Sequence, residues 1–91
     1  MIHDIGSTPD NLTKLRAEMA GQYGPLMGSA ALARVLGFPS AGAFRQACWR
    51  GRISIPMFNV PGRTGRFALT QDVAHWLWAM REAARERGTG R

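Results

Sequence analysis

The sequence predicts a mainly helical fold that carries one small β-hairpin. Four stretches place apolar residues at helical spacing, and each has a capping residue before it or a glycine after it. Two short β-prone runs, residues 53–60 and 66–69, lie on either side of a turn with two glycines and a proline. A chain of 91 residues forms one domain with a modest core. These elements are therefore expected to share that core.

The first helix is predicted to end at Tyr23, because a glycine followed by a proline commonly terminates a helix. Thr8 or Asn11 can cap its start, with Pro9 tolerated in the first turn. Its apolar stripe consists of Leu12, Leu15, Met19 and Tyr23. Such a helix is either part of the core or an arm that docks on a neighbouring molecule, and the sequence leaves both readings open.

The second helix is predicted over Ser29 to Leu36, with Met27 as an apolar contact just ahead of it. Its buried side consists of Leu32, Val35 and Leu36. Gly37 is expected to end the helix, and Phe38 to fold back onto it. The turn into the next helix is therefore short.

The third helix is predicted between Ser40, which caps it, and Gly51, which closes it. Its packing side consists of Phe44, Ala47 and Cys48, and its opposite side of Arg45, Gln46, Trp49 and Arg50. Because Cys48 falls on the packing side, it is predicted to be a core residue rather than a reactive thiol. Two short helices joined by a tight turn are the pattern of a helix-turn-helix, which any small helical hairpin shares.

An arginine-bearing hairpin is predicted directly after the third helix. Its turn runs from Pro61 to Gly65 and carries Arg63, and Arg66 begins the second β-prone run. A cationic hairpin after a helix-turn-helix is the layout of a winged helix, in which the wing contacts a phosphate backbone or the minor groove. The alternative is an ordinary hairpin with solvated arginines. We predict a winged helix-turn-helix with an additional N-terminal helix.

The last helix is predicted to start at a Thr70 cap, with Asp72 in its first turn, where a carboxylate interacts favourably with the helix dipole. Its core stripe consists of Val73, Trp76, Leu77, Met80 and Ala84. Trp78 lies on another face and is predicted to meet a partner. The chain is thus divided into an N-terminal arm and helix (1–26), the winged helix-turn-helix (27–81), and a frayed helix end with a flexible tail (82–91).

The net charge of +6 is confined to the middle of the chain. Residues 19–71 contain six arginines and no acidic residue, whereas the charges of the remainder balance. The six are Arg34, Arg45, Arg50, Arg52, Arg63 and Arg66. A surface that serves only solubility normally mixes both signs, so this segment favours an anionic partner. The alternative is a generally basic protein, which the ratio of eleven arginines to one lysine also fits.

The composition argues against several classes of function. One cysteine cannot form an internal disulfide, and together with two histidines it offers no zinc-ligand spacing. No apolar run approaches the roughly 18 residues of a membrane span, and no signal peptide is recognisable, so a cytoplasmic location is expected. Neither a catalytic triad, a paired carboxylate nor a phosphate-binding glycine loop is evident. We therefore expect no enzyme activity, no cofactor, no metal, no membrane contact and no small-molecule substrate.

A resemblance to a known family covers about residues 27–80. In the segments SAALARVLGFPSAGAFRQACWRGRI and FNVPGRTGRFALTQDVAHWL, the chain resembles small winged-helix proteins of the excisionase type, which are related to the DNA-binding part of MerR-like regulators. The positions that carry it are Leu36-Gly37, Ser40, Gly51-Arg52-Ile53, Asp72-Val73 and Trp76-Leu77. The chain departs from the family in the extra Pro39 of the turn, and in Ala41 and Gly42, where polar or basic residues are frequent.

The resemblance implies a protein that binds adjacent sites on double-stranded DNA, bends the DNA and directs a site-specific recombinase in excising a mobile element. A stand-alone transcriptional regulator is the alternative, and a protein-interaction adaptor that uses Trp49 and Trp78 is a third reading. The residues predicted to contact DNA are Ser40, Ala41, Gly42, Arg45, Gln46, Arg50, Arg52, Arg63, Thr64 and Arg66. Those predicted to contact protein, including further copies on DNA, are Leu15, Met19, Tyr23 and Trp78.

Overall fold

The computed structural model describes residues 9–86, which form four helices and a two-stranded antiparallel sheet. In chain order the elements are α1 (Pro9–Tyr23), β1 (Leu26–Gly28), α2 (Ser29–Val35), α3 (Ala41–Trp49), β2 (Phe67–Leu69) and α4 (Thr70–Glu86). The prediction of a mainly helical fold with a small antiparallel sheet is confirmed. Thr8 and the tail beyond Glu86 lie outside the described residues. None of the four described helices combines the length and apolar character needed to cross a membrane.

The sheet joins two segments that are far apart in the sequence. β1 pairs antiparallel with β2, so that Leu26 lies opposite Leu69 and Gly28 opposite Phe67. On the side of β2 away from β1, Phe67 exchanges two backbone hydrogen bonds of 2.9 and 2.8 Å with Phe58. The sequence pattern does not predict β1, because three residues are too few for an alternation of apolar and polar positions to be recognised.

The strand predicted over residues 53–60 is wrong except at Phe58, which forms a single bridge. Residues 53–57 form no regular element, and their apolar side chains pack into or against the core: Ile53, Ile55 and Met57. Pro56 has no N–H to donate to a ladder, which disfavours a strand at this point. The β-prone side chains of this run therefore fill the core instead of extending the sheet.

Two matching glycine motifs fix the ends of α2 and α3. The N–H of Gly37 donates to the carbonyl of Arg34 at 3.2 Å, and the N–H of Phe38 donates to the carbonyl of Ala33 at 2.8 Å. This pair of bonds is a Schellman cap, and the equivalent pair closes α3 at Gly51. Both glycine caps follow the prediction, and the cap at Gly37 begins the tight turn between α2 and α3.

Replacing Gly37 by alanine is expected to destabilise the fold by about 1–2 kcal/mol, because its φ of 86° lies in the left-handed region. No atom lies within 4 Å of the position its Cβ would take, so the cost comes from backbone conformation and not from a clash. Gly21→Ala is the matched control. Gly21 is exposed inside α1 with open space around it, and alanine there is expected to stabilise by about 0.5–1 kcal/mol. Urea unfolding measures both changes, and shifts of equal sign would contradict this account.

The core is built around Phe44 of α3, whose side chain is 1% exposed. The ring of Phe38 meets it edge to face, with 5.6 Å between the ring centroids. The other large, fully buried side chains are Met27, Leu32, Val73 and Thr70. Side chains from β1, α2, α3 and α4 therefore meet in one apolar cluster.

α1 is part of this core. It packs along α4, with Met19 only 7% exposed and with Leu15 and Tyr23 partly buried against the core cluster. Of the two readings that the sequence leaves open for this helix, the structure supports the first. Met19, predicted to contact a partner, is instead enclosed within the protein, where a partner cannot reach it.

Thr70 does more than begin α4. The sequence predicts this threonine as a helix cap, but it is the first residue of the helix, and its hydroxyl donates to the carbonyl of Gly24 at 2.6 Å. Its N–H donates to the carbonyl of Pro25 at 2.9 Å. The buried threonine therefore ties the start of α4 to the turn that follows α1.

The second half of α4 is more exposed and more regular than its sequence predicts. Met80 is 47% exposed and Ala84 is exposed as well, because the elements described here do not cover this part of the apolar stripe. Glu82 pairs with Arg81 at 3.0 Å and with Arg85 at 3.5 Å. Residues 82–86, which belong to the segment predicted to fray, form the last part of α4.

Candidate nucleic-acid interface

The outer face of α3 is set by packing on its inner face. Phe44 and Ala47 are buried, so the side chains of Arg45, Gln46 and Arg50 are exposed. The start of the helix is fixed by Ser40, whose hydroxyl oxygen accepts a hydrogen bond from the N–H of Ala43 at 3.1 Å. The helical spacing in the sequence thus predicts correctly which side chains this helix presents.

Trp49 is the most exposed large apolar side chain of this face, at 92%. The other two tryptophans are partly buried: the indole N–H of Trp76 donates to the hydroxyl of Ser54 at 3.1 Å, and the guanidinium of Arg81 lies 4.8 Å above the ring of Trp78. Helical spacing places Trp49 on the outer face, but Trp49 is not among the residues predicted to bind DNA. Its position one helical turn after Arg45 was the available signal.

A groove of about 840 Å³ runs between α3 and the segment before β2. Five of the predicted DNA-binding residues line it: Ser40, Gly42, Arg45, Gln46 and Arg66. Ser29 and Trp49 also line it and are absent from the predicted set. Ala41 is partly buried, and the remaining predicted residues are exposed outside the groove lining: Arg50, Arg52, Arg63 and Thr64. The groove therefore combines exposed positive charge, amide and hydroxyl groups, and the exposed indole of Trp49.

Arg66 reaches the groove because three contacts fix the loop of residues 59–66 at its base. The hydroxyl of Ser29 donates to the carbonyl of Arg66 at 3.2 Å. The side-chain amide of Asn59 donates to the carbonyl of Gly65 at 3.3 Å, next to the bridge that Phe67 forms across the base. Ser29 is thus a positioning residue, which the sequence alone does not reveal because its partner lies in a distant segment.

The tip of the same loop is a tight turn. The N–H of Arg63 donates to the carbonyl of Val60 at 2.9 Å, and Gly62 has a φ of 83°, which is the position and conformation of glycine in a type II turn after proline. The guanidinium of Arg63 lies 5.0 Å from the ring centroid of Phe67, a cation–π distance. The loop therefore carries its positive charge on an ordered framework.

All six arginines of the acid-free segment 19–71 are exposed. Between described residues, the ion pairs are those of Glu82 with its two arginine neighbours on α4, and none involves an arginine of that segment. Positive charge that no acidic neighbour compensates produces a field that attracts anions. The surface around α3 and the loop is therefore suited to a polyanion.

Cys48 lies on the inner edge of α3 and is partly buried. Burial raises the pKa of its thiol, and the positive charge of Arg66 opposes this rise only in part. Its sulfur lies 4.0 Å from that of Met57. A raised pKa leaves less thiolate at neutral pH, which supports the prediction of a packing residue over that of a reactive thiol. Within residues 9–86, no group of three or more potential metal ligands is present.

Compared with models of protein families, with curated proteins and with solved structures, the chain matches none of them. What the molecule does is therefore to be inferred from its residues and their geometry.

Proposed function

We propose that this protein binds double-stranded DNA with the outer face of α3 and the loop of residues 59–66. The observation that carries the proposal is that Arg45 and Arg66, distant in sequence, line one groove without an acidic side chain. Gln46, in the same groove, has both a donor and an acceptor that can pair with a base edge. A polyanion that displays hydrogen-bonding groups beside its phosphates fits this set.

The order of elements supports a winged helix-turn-helix as the architecture. α2 and α3 are joined by a short turn, the arginine-bearing loop follows, and β2 returns from it to pair with a strand that precedes α2. In this proposal α3 enters the major groove, whose width admits a helix, and the loop acts as the wing on the neighbouring backbone. α1 is then the additional N-terminal helix.

The predicted residues divide into three groups by their chemistry. Arg45 and Gln46 are proposed to read base edges. Ser40, Ala41 and Gly42 are small and allow the start of α3 to approach the DNA backbone closely. The residues proposed to contact phosphates are Arg50, Arg52, Arg63, Thr64 and Arg66. Phosphate contacts supply affinity and position, whereas base contacts supply specificity.

The test of DNA binding is its dependence on salt. Each phosphate contact contributes roughly 0.9 to the slope of log affinity against log salt, so Arg66→Ala is expected to lower the slope by about that amount. Arg85→Ala is the matched control, because it removes the same charge from α4, where Arg85 pairs with Glu82. A wild-type protein that does not bind DNA at low salt would refute the proposal. Equal slopes in Arg66→Ala and the wild type would remove the loop from the interface.

The resemblance to excisionase-type proteins supports a role as a recombination directionality factor. One short reading helix contacts few base pairs, so a single copy discriminates poorly among competing genomic sites. Copies on adjacent sites raise one another's effective concentration. We propose that several copies bind side by side, bend the DNA and so direct a site-specific recombinase; a stand-alone transcriptional regulator is the alternative role.

Titration onto DNA with one site and onto DNA with several adjacent sites tests this arrangement. We expect higher affinity per site on the multi-site DNA, together with an increase in bending measured by gel mobility. We propose that the partly buried Trp78 lies between copies. Trp78→Ala is therefore expected to reduce the difference in affinity per site between the multi-site and the one-site DNA. Identical affinities on both DNAs would contradict self-association and favour the regulator.

A further inference from the structure

The exposure of Trp49 distinguishes it from every other large apolar side chain described in the fold. At 92% exposure it presents nearly its whole indole to solvent, whereas the next most exposed large apolar side chain, Met80, is 47% exposed. Tryptophan is strongly buried on average because of its large apolar surface. A flat partner that covers this indole would remove a large apolar surface from water, which favours binding.

The backbone beneath Trp49 is held in place. It is the last residue of α3, and the glycine cap at Gly51 closes the helix directly after it. Cys48, its neighbour in sequence, packs against Met57. The indole therefore projects from an ordered helix end, so that binding has to order its side chain but not the backbone beneath it.

The rest of the groove identifies the class of occupant. Trp49 shares the groove with Arg45, Gln46 and Arg66, and no acidic residue lines it. An aromatic platform beside positive charges is the arrangement on which nucleobases stack while their phosphates are neutralised. The volume of about 840 Å³ lies within the roughly 300–1,000 Å³ of pockets that hold small ligands. A single nucleotide with its base is an occupant of suitable size and charge.

A regular duplex cannot supply that base. Its bases are stacked on one another, so only their edges are accessible in the grooves. The face of an indole is covered by a base only where the base has left the stack. We propose that Trp49 stacks on an unpaired nucleobase, so that the α3 groove binds DNA that is locally unpaired more tightly than a regular duplex. This inference rests on the proposed DNA-binding function and adds a substrate preference to it.

The experiment compares three DNAs of one sequence: a perfect duplex, a duplex with one extra unpaired nucleotide, and the single strand. Fluorescence anisotropy gives the affinities, and 2-aminopurine at the unpaired position reports stacking through quenching of its fluorescence. We expect the wild type to bind the duplex with the unpaired nucleotide roughly 5- to 150-fold more tightly than the perfect duplex, the range of one base–aromatic stack. We expect it to bind the single strand less tightly than that duplex, because the single strand lacks the major groove that α3 is proposed to enter. Trp49→Ala is expected to remove both the preference and the quenching, and Trp49→Phe to retain part of each.

Met80→Ala is the matched control, because Met80 is the next most exposed large apolar side chain and lies outside the groove lining, so its loss should leave the preference intact. Because Trp49 is exposed, Trp49→Ala is not expected to unfold the protein. Unfolding would therefore not explain a loss of the preference for unpaired DNA. Equal affinity of the wild type for the two duplexes, or a preference that survives in Trp49→Ala, would overturn the inference and leave duplex binding in place. Either outcome would leave contact with a protein partner as the remaining role of the exposed indole. Failure of the wild type to bind any DNA at low salt would instead refute the proposed function itself.

Discussion

Phe44→Ala is expected to lower the free energy of unfolding by about 3–5 kcal/mol, the cost of deleting a large buried ring and leaving a cavity. Phe44 is 1% exposed and meets Phe38 edge to face, so the gap opens at the centre of the core. Small domains are stable by only about 5–15 kcal/mol. A large share of the stability of the fold therefore depends on a side chain of the same helix that presents Arg45 and Trp49.

Phe58→Ala is the matched control for this substitution. Its side chain is 38% exposed, and its two hydrogen bonds to Phe67 involve only the backbone, so the same chemical change should cost much less. Urea unfolding followed by circular dichroism measures both variants. Equal costs at the two positions would show that the core does not centre on Phe44.

Arg45→Ala is expected to reduce the free-energy difference between specific and non-specific DNA binding by about 1–3 kcal/mol, the value of one bidentate base contact. A guanidinium nitrogen of Arg45 lies within 3.9 Å of the position that a Cβ on Gly42 would take. The side chain therefore points toward the start of α3, the part of a reading helix that contacts base edges. This substitution carries the largest change expected in sequence discrimination.

Arg34→Ala is the control for charge alone, because Arg34 is exposed on α2 and does not line the groove. Its loss should weaken binding to a selected target and to random DNA by similar factors. The target comes from selection of a random library with the wild-type protein, followed by competition binding. Equal losses on both DNAs for Arg45→Ala would make Arg45 a phosphate contact.

The sequence predicts those features that depend on near neighbours. Ser40 as a cap and Gly37 as a terminator act within one turn of their own helix, and the exposure of Arg45 follows from the burial of Phe44 one residue earlier. Features that depend on distant partners escape such reasoning. β1 is recognisable only through its pairing with β2, and Thr70 has a carbonyl partner at Gly24 that its local pattern does not reveal.

The same distinction applies to the groove. Helical spacing places Arg45 and Gln46 on one face, but Arg66 joins them through contacts at the base of its loop, which include the hydrogen bond from Ser29 to its carbonyl. The exposure of Met80 is likewise unpredictable from periodicity, because an apolar stripe does not show how far along a helix its covering elements reach. The sequence pattern thus identifies half of the groove residues individually but not their assembly.

The pairing of β1 with β2 also has a consequence for the order in which the chain folds. α2, α3 and the loop lie between the two strands in sequence, so the sheet forms only after this whole intervening segment has closed into a loop, at an entropic cost that grows slowly with its length. Helix pairs with local contacts form sooner than such distant pairings. A nascent chain therefore cannot complete its core until β2 and α4 have been synthesised. A chain shortened before β1 would lack Met19 from that core, which makes point substitutions on α1 better probes of this helix than deletion.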